Sequence, residues 1–170
     1  DPRSAGYLSD AKALGLENIQ RMECQDLYFI QGQVSSNNLQ QIASQLLSDP
    51  ITQRAQWGRV LIAQKRPLKP GNHVHIVEVS LLPGVTDPVA EQLVRASHVL
   101  GIQGIEKAST GLRFQIQGDL SQNDIHLLIQ RLLANHVIHR YAIGEIEPIF
   151  PQTAEASGAL TILPIRDLED

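Results

Sequence analysis

The chain has 170 residues, a formal charge of −4 and 4% aromatic side chains. That balance supplies no general attraction for a phosphate backbone and little surface for base stacking, so nucleic-acid binding is disfavoured. An apolar share of 42% against 19% charged residues reads as a soluble globular protein, with no apolar run near the roughly 20 residues of a membrane span.

Cys24 is the single cysteine, so no internal disulfide forms, and no signal-peptide pattern is present; a cytoplasmic protein is expected. In chain order, Asp1-Pro2 opens a helix, with aspartate as cap and proline at the first helical position, and Leu14-Gly15 closes it. Extended chain follows through Ile30-Gln31-Gly32. Leu39, Ile42, Ala43, Leu46 and Leu47 then stand at helical spacing, and Gly58 to Ala63 reads as a strand. Residues 66–72, with Pro67, Pro70 and Gly71, read as a linker.

His73 to Leu82 is rich in β-branched residues and reads as a strand, ended by the turn Leu82-Pro83-Gly84-Val85-Thr86. Asp87-Pro88 starts a helix whose apolar face is Val89, Leu93, Ala96 and Leu100, and Gly101 ends it. Ile105 to Lys107 is a short extended piece. Leu112, Phe114 and Ile116 then alternate with Arg113, Gln115 and Gln117 as a half-buried strand. Ser121 to Asp124 carries cap chemistry for a helix with Ile125, Leu128, Ile129, Leu132 and Leu133 on one face. A last strand lies near His139 to Ile146.

The two halves are related in sequence. Shifting the chain by 86 positions lays Asp1-Pro2 on Asp87-Pro88, Leu14-Gly15 on Leu100-Gly101, Ile30-Gln31-Gly32 on Ile116-Gln117-Gly118, and Leu46-Leu47 on Leu132-Leu133. A repeat this long, used twice, is a duplicated small domain. The expected fold class is α+β: two tandem modules of strand-helix-strand-strand-helix-strand, with helices packed on antiparallel sheets as a pseudo-dimer. The expected boundaries are a first module over 1–65, a linker over 66–72, a second module over 73–150 and a tail over 151–170. The first module lacks its opening strand in this chain, which implies a trimmed fragment or residues ahead of Asp1 in the full protein.

The search for chemistry yields little. His73 and His75 share one strand face, and His136 and His139 lie near each other, but neither pair has the further ligands of a metal site. Pro50 and Gln53 replace the latter pair in the first module, so no site is common to both. His98 and His126 lie off the apolar faces. Cys24 has Thr110 as its counterpart and no histidine motif, so it reads as a small, partly buried residue. Asp1 and Asp87 read as helix caps rather than catalytic carboxylates. Gly101-Ile102-Gln103-Gly104 follows a helix, where a dinucleotide loop follows a strand. Trp57 reads as core or interface. The polar strand face of Arg113, Gln115 and Gln117, together with open sheet edges, is a natural docking surface.

The stretch from Val77 to Pro88, including Leu82-Pro83-Gly84-Val85-Thr86-Asp87-Pro88, resembles the PurS family. The resemblance continues through Leu100-Gly101 and Gly111-Leu112-Arg113 into Leu132-Leu133-Ala134-Asn135-His136-Val137-Ile138. The first module keeps less of it. PurS is the small accessory subunit of phosphoribosylformylglycinamidine (FGAM) synthase in purine biosynthesis. The resemblance implies a chain without catalytic, cofactor or metal residues of its own. It would bridge an ATP-dependent synthetase subunit or domain and a glutaminase, supporting ammonia transfer between them and self-associating as well. ATP, magnesium and glutamine would be used by those partners. The expected interface is built on Pro83, Gly84, Asp87, Pro88, Gly111, Arg113, Gln115 and Gln117, with shaping of a turn as the alternative for Pro83-Gly84 and Asp87-Pro88. The resemblance further implies a tail leading to a fused synthetase domain. The competing reading is an ACT-like module that binds a small regulatory molecule between its halves. A small enzyme or an RNA-binding sandwich would be further rivals.

Overall fold

The computed structural model describes residues 1–49, 51–59 and 74–151. Helix α1 spans Pro2–Ala13, strand β1 Ile19–Gly32 and helix α2 Ser36–Ile42, which runs into a π-helical turn over Ala43–Leu47. Strand β2 spans Val74–Leu81, helix α3 Pro88–Val99 and strand β3 Ile105–Gly118. Helix α4 covers Gln122–Leu128 with a π-helical turn over Ile129–Leu133, and strand β4 is His139–Ile143. The bounds of α1, β1, α2 and the first π turn fall on those of α3, β3, α4 and the second when moved by 86 positions.

Local chemistry sets these limits. Asp1 and Asp87 each accept an amide of their own first helical turn, with proline next in line. Gly15 and Gly101, with φ of 88° and 80°, take the left-handed conformation that turns the chain out of α1 and α3, which glycine enters without a Cβ clash. Ser121 and Asp124 form a reciprocal capping box at the start of α4.

Among the described residues the strands join one antiparallel sheet in the order β1-β3-β2-β4. The α+β class with helices on antiparallel structure holds, but strands of both sequence modules share that single sheet. β1 and β3 pair along nearly their whole length, with Asp26 opposite Leu112. Those two positions are also 86 apart, so a pseudo-twofold axis runs through that pair, and Met22 opposite Ile116 is exchanged with Ile30 opposite Ala108.

One face of the sheet carries every helix. Met22, Cys24, Val77, Val79, Phe114 and Ile116 pack under α1 and α4, with Tyr7 edge-on to Phe114 at 5.0 Å between ring centroids. Tyr28, Ile30 and Ala108 pack under α2 and α3 through Ile42, Ala90 and Leu93. Each core half therefore combines a helix from either module.

The expected strand pair at 105–117 is corrected to a single strand. Ala108, Ser109, Thr110 and Gly111 show no apolar alternation, yet they lie against β1 throughout, and Gly111 also pairs with Ser80 of β2. Backbone pairing with neighbouring strands, rather than side-chain pattern, keeps them extended. β4 ends at Ile143, short of the expected Ile146. Gly58 and Arg59 are irregular and exposed, and the rest of the expected strand to Ala63 lies outside the described residues, as do His73, the linker 66–72 and residues 152–170.

Candidate functional site

The sheet face away from the helices divides into two zones. Over β2 and β4 it is covered by the chain that follows β4. Glu78, 1% exposed, accepts the Nε of Arg113 at 2.6 Å through Oε1 and the amide of Ile146 at 2.7 Å through Oε2. Gly144 donates to the Ile76 carbonyl at 2.8 Å, and an Arg140 guanidinium nitrogen donates to the Glu147 carbonyl. A buried carboxylate held by a guanidinium and an amide thus fastens this segment across the sheet.

Over the Arg21 to Gln25 part of β1 and the Arg113 to Gln117 part of β3 the face is polar and open, whereas further along it Leu27 and Phe29 stand beside Gly111 and Ser109, with Phe29 and Ser109 buried. Gln117 lies beside Arg21, Gln115 beside Glu23, and Arg113 beside Gln25. Gln117, Arg21 and Gln25 are exposed, Gln115 and Glu23 half-buried, and Arg21 pairs with Glu23. The residues from β1 were missed in the sequence. The alternation of Arg21, Glu23 and Gln25 with Met22 and Cys24 carries the same signal that singled out Arg113, Gln115 and Gln117.

The structure does not bring the expected interface residues together as one surface. Pro83 and Gly84 are exposed in the loop after β2, which is tied by the Leu82 amide to the Ile138 carbonyl at 2.8 Å; Pro88 is exposed at the start of α3. Asp87, 7% exposed, works inward. Its Oδ1 accepts the Ala90 amide at 2.9 Å, and its Oδ2 accepts the amide and hydroxyl of Thr110 at 2.8 and 2.9 Å. It takes over hydrogen bonding to β3 just where β2 ends its pairing, at Ser80 opposite Gly111. Ser4 does the equivalent for the first module, accepting the Cys24 amide at 3.0 Å. Gly111 is fixed by packing, since a Cβ there would sit 2.7 Å from the Val79 carbonyl oxygen.

Other candidates fall into place. Burial pushes the Cys24 thiol pKa up, against thiolate chemistry. Trp57 is half exposed and lies outside the core, its indole N–H on the Gln40 side-chain oxygen at 3.4 Å. Among the described residues no group of three or more histidine, cysteine or carboxylate side chains could hold a metal, and no helix is long and apolar enough to cross a membrane.

Comparison with known proteins bears on the same segment. The family model PurS, described as phosphoribosylformylglycinamidine (FGAM) synthase, matches residues 74–147, from the first residue of β2 to just past β4. A curated relative, phosphoribosylformylglycinamidine synthase subunit PurS of Archaeoglobus fulgidus, is 33% identical over 72 residues, covering 39% of this chain and 90% of that protein. The chain belongs to the PurS family. The match takes in the Pro83-Gly84 loop, the Asp87 cap, β3 and the turn before β4, so the PurS module is the part of the chain that carries the covered face and half of the open one.

Proposed function

We propose that this chain is the non-catalytic PurS part of phosphoribosylformylglycinamidine synthase in purine biosynthesis. It bridges the ATP-dependent synthetase and the glutaminase so that ammonia passes between them within the assembly. The observation that carries the reading is the family match over 74–147, and the subunit name of the Archaeoglobus relative agrees with it. The open polar face supports a docking role: Gln115 and Gln117, with Arg21 and Gln25, present donors and acceptors on a rigid sheet without a buried charge to desolvate. Pro83, Gly84 and Pro88 form a second exposed contact. Asp87, Gly111 and Arg113 act behind these surfaces by holding their shape. ATP, magnesium and glutamine belong to the partner proteins.

The test compares turnover of the reconstituted synthase on glutamine and on free ammonia, with and without this chain. A bridging subunit raises the glutamine-driven rate and leaves the ammonia-driven rate nearly unchanged. Equal rates with and without the chain, on both nitrogen sources, would overturn the reading.

A further inference from the structure

On the helix side of the sheet, away from the polar face, a cleft of about 420 Å³ opens between the π-helical turn after α4 and the edge strand β4. Its volume falls within the roughly 300–1,000 Å³ of ordinary ligand sites. Ile129, fully buried, and Ala134 give it an apolar floor, while Gln130, Arg131, His136, His139 and Tyr141 supply its polar lining. No lining residue is a carboxylate, and each of those five side chains can offer a hydrogen to an acceptor.

The second histidine is held ready to donate. His139 Nδ1 accepts the Asn135 amide at 3.1 Å, which leaves its proton on Nε2 in the neutral ring. The Asn135 side chain in turn accepts the Val137 amide at 3.0 Å, fixing the turn that carries His136. The positions 86 earlier hold Ser44, Gln45, Pro50, Gln53 and Ala55, so this set of polar lining groups belongs to the second module alone.

We infer that this cleft is a binding site for a small phosphomonoester, its phosphate held by Arg131, His136, His139 and Tyr141 and its organic part resting on Ile129 and Ala134. A phosphate dianion offers several acceptor oxygens to a guanidinium, two imidazoles and a phenol, more than one carboxylate can present. A guanidinium is also suited to bidentate contact with it.

The test is a titration of the full chain with phenyl phosphate and with inorganic phosphate. It is followed by two-dimensional nitrogen–proton NMR of the histidine rings, with sodium chloride at matched ionic strength as control. The expected result is a saturable shift at His136 and His139, with His75, His98 and His126 unmoved, and tighter binding of phenyl phosphate. Arg131→Gln, an exposed change, should weaken binding by roughly tenfold with the melting temperature unaltered. Absence of a saturable shift, shifts reproduced by chloride, or equal binding by folded Arg131→Gln would each overturn the assignment.

Discussion

Replacing Asp87 by alanine separates a buried tie from a surface contact. The variant loses a helix cap, worth about 1 kcal/mol in general. It also removes the acceptor of the Thr110 amide and hydroxyl, now bound at 2.8 and 2.9 Å. A half-buried amide left without its acceptor costs on the order of 1–3 kcal/mol. The two together put Asp87→Ala at roughly 2–4 kcal/mol of lost stability, or a melting point lower by about 5–15 °C for a chain of this size. The first module supplies the control. Asp1 caps α1 through the Arg3 amide at 2.9 Å and touches strand β1 only indirectly, through the partly exposed Arg3 guanidinium that also pairs with Asp26, and its side chain is 27% exposed. Asp1→Ala should therefore cost about 1 kcal/mol or less. Asp87→Ser should fall between, since serine keeps a cap oxygen and gives up the link to Thr110. Urea unfolding followed by far-ultraviolet circular dichroism measures all three. Asp87→Ala within about 0.5 kcal/mol of the parent, or no more costly than Asp1→Ala, would refute the assignment of Asp87 as the tie between α3 and β3.

Three further outcomes follow from the same geometry. Arg113→Leu strands the Glu78 carboxylate, 1% exposed, and should cost about 3–5 kcal/mol in urea unfolding; for the same reason Arg113→Glu would damage the fold rather than report on docking. Gln115→Lys with Gln117→Lys, on the open face, should stay within about 1 kcal/mol of the parent in that assay yet weaken assembly with the partner proteins at least tenfold by light scattering. Burial holds the His139 pKa below its ordinary value of 6.5. The unfolded chain thus binds the proton more readily, so the contribution is intact above about pH 6.5 and fades as pH falls through the depressed value. Melting temperatures between about pH 7 and pH 5 should fall less steeply in His139→Gln than in the parent.

Much of the frame was legible in the residues because short-range chemistry marks it. The Asp-Pro pairs, the glycines at 15 and 101, and the apolar spacing of Ile125, Leu128, Ile129 and Leu133 each act within a turn or two, and each element stands where they put it. What escaped depends on contacts between distant segments. Ala108 to Gly111 looks like a break until β1 and β2 are seen beside it. Asp87 reads correctly as a cap, but its second role needs Thr110, 23 positions away. Glu78 drew no notice as one charge in an apolar strand, because its partners Arg113 and Ile146 lie 35 and 68 positions further on. The shared sheet escaped for the same reason, since an offset of 86 names equivalent residues without saying which strands touch. His136 and His139 were legible only as a thin metal motif; the cleft they line forms when the π-helical turn comes against β4.

The most direct measurement is size-exclusion chromatography with light scattering of this chain mixed with the synthetase and glutaminase of its pathway, with glutamine and ADP present. The account predicts one peak containing all three proteins, which splits when this chain is left out. If the synthetase and glutaminase co-elute equally well without it, while the folded chain elutes alone, the bridging role is contradicted.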